Sequence, residues 1–263
     1  MTRFEEFRDL HRTGAPLVLP NAWDLASAAA LAEAGFRALG TTSLGVAAAA
    51  GKPDAQGGTR AQTLLLAHGM ARLDALVSVD IEGGFSDEPE EVAALAVELA
   101  DAGVAGVNIE DGLPDGGLRA PGPQCALIAA VKNAAPDLFV NARTDTHWLP
   151  GHTALTAERA AAYRDAGADG VFVPGLTDTA GIAELVGALD VPLNILYSPA
   201  GPSLRTLTDL GVRRVSCGSL LFRAALHATV ATARAVARDE PVPSGLPTYG
   251  EAQALADAYT EHP

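Results

Sequence analysis

One strand–helix–strand unit lies at residues 76–111, LVSVDIEGGFSDEPEEVAALAVELADAGVAGVNIED. The unit begins with a short β-type apolar run, LVSVD, and closes with another, GVNI. Between them is a helix-forming segment rich in Ala, Leu and Glu, and Gly103 follows it, where a helix commonly ends in a left-handed residue. A strand, a helix and a second strand in this order predict a crossover within a parallel sheet.

The same unit recurs along the chain. Strands are predicted at residues 17–19, 38–41, 76–80, 106–109, 138–141, 170–173, 193–196 and 214–216, and helices at residues 24–33, 88–102, 154–165, 179–188 and 220–238. Strand and helix alternating eight times predict an α/β fold, a (β/α)8 TIM barrel. The alternative, an open doubly wound sheet, lacks support because no GxGxxG follows the first strand.

The chain shows no linker that would divide it into two large domains. We expect residues 1–240 to form the barrel, with its active site at the C-terminal strand ends. A Pro-rich break, DEPVPSGLP, follows at residues 239–247. Residues 241–263 are expected to form a C-terminal helical extension that caps the barrel or packs on a neighbouring subunit.

The charge balance limits the classes of partner that we expect for this protein. The 263 residues include 18 Lys and Arg against 32 Asp and Glu, a formal net charge of −14. Such a surface repels nucleic acid and anionic membranes, so we expect neither as a partner. The acidic N-terminal segment does not resemble a signal peptide, and Cys125 and Cys217 form no CxxC pair, so we expect a cytoplasmic protein without a disulfide framework.

Carboxylates collect at neighbouring strand ends, where barrel enzymes place their chemistry. Asp80 and Glu82 are two apart on an extended segment, which predicts that both face the same side, and Glu110 ends the next strand. Three such acids repel one another unless a cation lies between them, and oxygen ligands without Cys or a His cluster suit Mg²⁺ or Mn²⁺. The alternative is that Asp80 caps a loop and Glu82 is simply solvated.

Several polar residues near these strand ends are candidates for binding substrate. Arg143 is placed to hold a carboxylate or phosphonate with two hydrogen bonds, or to form a structural ion pair with Glu110 or Asp145. Thr42 and Ser43 offer hydroxyl or backbone N–H donors, although ordinary turn residues have the same composition. Asn194 is equally suited to a substrate carboxylate and to closing a loop.

Other reactive side chains carry weaker signals. His147 and His152 follow the fifth strand, and a lone loop histidine is usually solvated. Nothing in the sequence around Cys125 lowers a thiol pKa, so we interpret it, like Cys217, as structural.

At these residues the chain resembles the isocitrate lyase/phosphoenolpyruvate mutase superfamily. The matching motifs, in order, are NAWD at residues 21–24, TSLG at 42–45 with GKPD at 51–54, DIEGGF at 80–85, NIED at 108–111, ARTD at 142–145 and RVSCG at 214–218. The resemblance spans residues 15–238.

The resemblance implies a set of functional residues. It implies that Asp54, Asp80, Glu82 and Glu110 hold Mg²⁺ (or Mn²⁺), directly or through water. It implies further that an α-oxocarboxylate binds to Thr42, Ser43, Leu44, Asp80, Arg143 and Asn194. Asp54, Asp80 and Arg143 are the implied catalytic residues. Members of the superfamily commonly form tetramers, so we expect a homo-oligomer, either a tetramer or a dimer.

The loop after the fourth strand departs from the family pattern. Lyases of the superfamily carry K-[KR]-C-G-H there, with the Cys as proton donor, whereas this chain has GLPDGGLRAP at residues 112–121. The Lys and Asn of phosphonopyruvate-type gate loops are missing as well, which leaves Arg119 as the only cation. Isocitrate and methylisocitrate cleavage therefore lack their acid.

We expect a Mg²⁺-dependent lyase or decarboxylase that acts on a small α-oxo di-acid, similar to oxaloacetate, through a stabilised enolate. A carbon–carbon lyase with another acid, a bound water or His147, is an alternative. Two more are an enzyme of P–C bond chemistry, of the phosphoenolpyruvate mutase or phosphonopyruvate hydrolase type, and a barrel that binds an oxo acid without turning it over.

Overall fold

The computed structural model describes residues 1–12 and 14–259. Its parallel strands are β1 (Leu17–Leu19), β2 (Asn21–Ala22), β3 (Ala38–Thr41), β4 (Leu76–Asp80), β5 (Gly106–Glu110), β6 (Phe139–Arg143), β7 (Gly170–Val173), β8 (Leu193–Leu196) and β9 (Arg214–Ser216). Six of the eight predicted strands have the predicted limits. The fourth extends to Glu110, and the fifth begins at Phe139 and continues to Arg143, because backbone pairing persists up to the register partners Glu110 and Arg143.

The strands close into a ring through Pro20. Hydrogen bonding runs in the order β1-β9-β8-β7-β6-β5-β4-β3-β2. β1 and β2 are two halves of one barrel strand, interrupted at Pro20 because proline has no backbone N–H to donate. The first half pairs with β9 and the second with β3, so the predicted TIM barrel is confirmed.

Helices surround the strands. They are α1 (Arg3–Leu10), α2 (Leu25–Glu33), α3 (Ser43–Ala49), α4 (Arg60–Met70), α5 (Pro89–Asp101), α6 (Pro121–Ala134), α7 (Thr156–Asp165), α8 (Thr179–Ala188), α9 (Leu204–Asp209), α10 (Leu220–Ala237) and α11 (Tyr249–Ala254), with 3₁₀ turns at Asp145–His147, Thr153–Leu155 and Asp257–Tyr259. Apolar faces of these helices pack on the outer faces of the strands and form the main core.

The N-terminal end of the barrel is closed by α1. Phe7 on this helix is fully buried and meets the ring of Phe139 edge-on, with centroids 5.4 Å apart. His11 stacks on the same Phe139 ring at 4.6 Å, and burial lowers its pKa to about 3, so it is neutral there. Aromatic rings thus fill the interior of the barrel at this end.

The C-terminal extension folds back onto its own barrel. Leu255 and Tyr259 pack against the main core, and the Tyr259 hydroxyl donates to the carbonyl of Leu25 on α2. Contact with a neighbouring subunit stays a prediction.

The helix α10 is the most exposed of the long helices. Among residues 1–12 and 14–259, it alone has the length and apolar composition of a helix that could cross a bilayer, a test that core helices of soluble proteins also pass. Its buried residue, Phe222, packs edge-on against Trp23 beside β2. This contact places the start of α10 next to the candidate site.

Candidate functional site

A pocket opens at the C-terminal ends of the strands. Its polar lining comes from nearly every strand end, namely Asn21, Thr41, Thr42, Ser43, Asp54, Asp80, Asn108, Glu110, Arg143, Asp145, Ser216 and Ser219. The residues that were predicted from the sequence to bind substrate all line this pocket, except Asn194. The predicted location of the chemistry therefore matches the position of the pocket.

Asp80 ends β4 at the side of the pocket. Its backbone N–H donates to the Thr41 hydroxyl at 2.8 Å, which ties the end of β4 to β3. Burial raises the pKa of the Asp80 carboxyl to about 6, against the lowering effect of Arg143, and the nearby Asp54 and Glu82 raise it further. A carboxyl in this position is more easily ionised when a cation lies beside it.

Arg143 lies between two carboxylates. Its Nη1 is 2.6 Å from Glu110 Oε2, and its Nε and Nη2 are 2.6 and 3.1 Å from the two oxygens of Asp145. Both predicted roles are therefore compatible with its position, since it forms the structural ion pairs and also lines the pocket. These contacts use three of its five N–H donors, so two remain for another anion.

Glu82 lies apart from the pocket that Asp80 lines. Its Oε2 accepts the Gly57 N–H at 2.9 Å, and its Oε1 accepts a short hydrogen bond from Thr59. The expectation that Asp80 and Glu82 share one face was wrong in its geometry, because β4 ends at Asp80 and Glu82 has a φ of 50°. A left-handed residue is not part of an extended strand, so the alternation on which the expectation depended does not reach Glu82. Glu82 as a metal ligand stays a prediction.

The remaining acids fit a divalent cation held partly through water. Asp54 and Glu110 line the same pocket as Asp80, and the buried Asp54 Oδ1 has no hydrogen-bond partner among the residues that the structure describes. Among residues 1–12 and 14–259, however, no three His, Cys, Asp or Glu side chains lie close enough together to form a ready-made metal cluster. Mg²⁺ commonly keeps several waters and uses one or two carboxylates, which agrees with this open donor set.

A second layer of charge lies behind the pocket and centres on Asp111. This fully buried carboxylate accepts the Asp145 N–H at 2.8 Å, the Tyr163 hydroxyl at 2.6 Å and an Arg159 N–H at 2.9 Å. Sequence reasoning did not find Arg159 and Tyr163. The available signal was their spacing, because residues four apart on α7 share one helix face. The network fixes the position of Asp145 and, through it, Arg143.

Thr42, Ser43 and Leu44 line the pocket where α3 begins. The Thr42 side chain does not cap the helix, and the first N–H groups of a helix have no partner within it. This segment therefore offers several donors to an oxyanion at once.

Asn194 is buried on β8 beside Arg214 of β9 and does not line the pocket. Both atoms of its amide lack a partner within the described part of the chain. Its predicted contact with the distal end of a substrate remains untested.

The other reactive side chains lie away from the pocket. His147 is not among the residues that line it, and burial lowers its pKa. Burial raises the pKa of both cysteines, which agrees with the structural roles predicted for Cys125 and Cys217. Arg119 is mostly buried outside this pocket and pairs with Asp87 at 2.8 Å and with Gln124 at 2.8 Å.

The pocket also has an apolar wall, which the sequence did not predict. It consists of Leu113, Trp148, Leu149, Phe172, Pro174 and Leu196, and the ring of Phe172 lies 5.7 Å from the Arg143 guanidinium. Within the described ranges, Arg143 is the only Lys, Arg or His of the lining. A ligand in this pocket would therefore meet acids, one arginine and hydrocarbon side chains.

Several known proteins are similar to this chain in sequence, in fold or in both. The uncharacterized protein Rv1998c of Mycobacterium tuberculosis is 47% identical over 250 residues, which cover 94% of this chain and 95% of that protein. A probable 2-methylisocitrate lyase of Corynebacterium glutamicum is 32% identical over a region that covers 79% of this chain and 72% of that protein. An oxaloacetate decarboxylase of Pseudomonas fluorescens is 34% identical over 52% of this chain and 51% of its own.

A solved structure, a putative phosphonomutase from Burkholderia cenocepacia J2315, superposes with a TM-score of 0.83 and 39% identity, over 88% of this chain and 99% of that one. The family model described as phosphoenolpyruvate phosphomutase matches residues 7–237. The chain therefore belongs to the phosphoenolpyruvate mutase family, within the isocitrate lyase/phosphoenolpyruvate mutase superfamily of carbon–carbon lyases and mutases.

Proposed function

We propose that this enzyme is a Mg²⁺-dependent decarboxylase of a small α-oxo di-acid such as oxaloacetate. One observation carries the proposal: the described lining combines carboxylates and a single cation, Arg143, with the apolar wall. An α-oxo acid places its oxo-carboxylate beside Arg143. Its departing carboxylate then lies against the apolar wall.

Asp54, Asp80 and Glu110 are the residues that would hold Mg²⁺, since all three line the pocket. When bound, the cation supplies electrostatic stabilisation of the negative charge that develops on the α-oxo oxygen. The two unused N–H donors of Arg143 bind the substrate's carboxylate beside it. Asp145 holds the guanidinium plane in place while it does so.

The apolar wall favours loss of CO2. A carboxylate against this wall has no cation of the described lining to bind it, so its charge is more stable when it has moved toward the oxo oxygen. The bond between C3 and C4 breaks, its electron pair passes into the enolate, and C4 leaves as CO2. A solvent proton then adds to C3 and gives pyruvate. This sequence needs no acid from the loop at residues 112–121.

The same features distinguish the alternatives. A phosphonate would bring two negative charges to a wall with no cation in the described lining, which disfavours P–C chemistry. A carbon–carbon lyase that uses His147 as its acid is disfavoured, because His147 does not line the pocket. A relative named oxaloacetate decarboxylase supports the decarboxylase proposal by its name alone.

The test is metal-dependent turnover followed by ¹H and ³¹P NMR. Oxaloacetate, 2-methylisocitrate and phosphonopyruvate are offered separately with Mg²⁺ and with EDTA. We expect pyruvate from oxaloacetate faster than Mg²⁺ alone produces it. Asp80→Ala should remove this activity, while Asp101→Ala, at an exposed acid on α5, should keep it. Phosphate or phosphoenolpyruvate from phosphonopyruvate, without pyruvate from oxaloacetate, would replace the proposal with P–C chemistry.

A further inference from the structure

Arg214 crosses the interior of the barrel beneath the pocket. From β9 its Nη2 reaches the Ser78 hydroxyl at 3.2 Å and the Asn108 side-chain oxygen at 3.1 Å, on β4 and β5. The side chain is fully buried, and no carboxylate of the described residues lies within ion-pair distance of it. A buried cation that has no carboxylate partner is costly, so its contacts with the site above it call for an explanation.

The contact with Arg214 fixes the orientation of the Asn108 amide. A guanidinium can only donate hydrogen bonds, so the Asn108 atom that faces it must be the oxygen. The same oxygen accepts a second hydrogen bond, from Asn141 Nδ2 at 2.8 Å. Asn108 Nδ2 is consequently turned away from this layer. Asn108 is nevertheless part of the pocket lining, and no described residue accepts a hydrogen bond from its Nδ2.

Asn21 provides a contrast within the same pocket. Its Nδ2 donates to the Thr41 carbonyl at 2.7 Å, and its Oδ1 accepts the N–H groups of Cys217 and Gly218 at 3.0 and 2.8 Å. The nitrogen and the oxygen of that amide thus both hydrogen-bond to backbone groups, on β3 and just after β9. Of these two pocket asparagines, Asn108 has both N–H groups of its Nδ2 left for a ligand, whereas Asn21 has already committed one of its two.

We propose that Asn108 binds substrate, donating an N–H from the pocket floor to an oxygen at the charged end of the α-oxo acid. Arg214 is a positioning residue that keeps this amide in the donating orientation. Asp80 and Asn108 are register partners on β4 and β5, so the donor lies beside the acidic end of the pocket. The identity of the acid rests on the proposed function, but the placement of the donor does not.

The test measures binding rather than turnover. Oxalate, a mimic of the enolate, is titrated into the full-length protein with Mg²⁺ by calorimetry, and Mn²⁺ affinity is measured separately by electron paramagnetic resonance. For Asn108→Leu we expect oxalate to bind about tenfold or more weakly, the loss typical of a hydrogen bond to a charged group, with Mn²⁺ affinity unchanged. Asn108→Asp should weaken oxalate binding further, because it places a charge where the donor was.

Arg214 has its own pair of variants. Arg214→Met should weaken oxalate binding without lowering the melting temperature, because an apolar side chain replaces a buried, unpaired charge. Arg214→Lys keeps a donor to Asn108 and should restore most of the affinity. A purely structural role would lower the melting temperature in Arg214→Met and leave oxalate affinity unchanged.

The outcomes separate this inference from the proposed function. The inference is overturned if the oxalate affinity of Asn108→Leu falls by less than about threefold, because a lost hydrogen bond to a charged group has a larger effect. An equal loss of Mn²⁺ affinity, or a wild-type protein that binds no oxalate, overturns it as well. If wild-type protein binds oxalate but decarboxylates nothing, the proposed function fails, while the inference stands on the Asn108 variants.

Discussion

Asp145 holds Arg143 with both carboxylate oxygens, at 2.6 and 3.1 Å from its Nε and Nη2. The guanidinium is therefore oriented before any substrate arrives, and little side-chain freedom is lost on binding. This relationship makes Arg143 the most informative position for mutation.

Arg143→Ala should raise the dissociation constant of oxalate by an amount equivalent to about 1.5–3 kcal/mol, typical of a lost charge-assisted hydrogen bond. Titration calorimetry with Mg²⁺ measures it. Arg143→Lys should recover only part of the affinity, since an ammonium cannot reproduce the planar fork. An unchanged constant in Arg143→Ala would restrict this residue to its ion pairs.

Tyr163→Phe should destabilise the protein more than it alters binding. The hydroxyl donates to the buried Asp111 carboxylate at 2.6 Å, and a hydrogen bond to a charged group is worth about 1.5–3 kcal/mol. Urea unfolding measures the loss. Tyr249→Phe, at a side chain that is 87% exposed, is the matched control and should have no effect. Equal stability of the two variants would contradict the importance of the Asp111 network.

The stability gained from Mg²⁺ should increase with pH. Burial raises the pKa of Asp80 from 3.8 to about 6. The folded state then holds the proton more tightly than the unfolded chain, so the stability that Asp80 contributes at low pH is lost as the pH rises through 6. A bound cation offsets this loss by favouring the ionised carboxyl.

Thermal unfolding with and without Mg²⁺ checks this prediction. The shift in melting temperature should be larger near about pH 8 than near about pH 5, and Asp80→Asn should abolish the difference. A shift independent of pH would show that Mg²⁺ acts elsewhere.

Trp148→Arg should slow decarboxylation while it tightens binding of the di-acid. Trp148 lines the apolar wall and is 58% exposed, so an arginine fits there without being buried. Its charge would stabilise the carboxylate before it leaves, which lowers kcat and KM together. Steady-state kinetics with oxaloacetate separate the two constants. Trp148→Leu should keep both near wild-type values, and a higher kcat in Trp148→Arg would refute the role of the wall.

The barrel could be predicted because each strand is a short apolar run followed by Gly- or acid-rich segments. The limits of six strands were accurate, among them the strand that ends at Asp80. The limits failed at residues 138–143, where Leu138 is apolar but precedes the pairing that begins at Phe139. Hydrophobicity alone does not mark where the backbone begins to pair.

The site was predicted less completely than the fold. Asp80, Glu110 and Arg143 share one pocket because parallel strands end on the same side of the barrel. The conformation of Glu82 could not be read in this way, since its φ of 50° accompanies contacts with Gly57 and Thr59 in a distant loop. Tyr163 lies 52 residues from Asp111, so its contact depends on how α7 packs.

The loop after β5 is held mainly by contacts other than those that hold Asp80 and Arg143. The Leu113 N–H bonds to the Gly117 carbonyl at 2.9 Å, and Arg119 anchors the end of the loop to Asp87. Its shape is thus set by bonds within the loop and at its base, while Asp80 and Arg143 are held by other strands. Replacing residues 113–118 with a longer loop that carries a proton donor, while keeping Gly112, where a Cβ would collide with the Asp145 carboxylate, would leave both charged residues in place. Such a graft offers a route from decarboxylation toward carbon–carbon cleavage within one barrel.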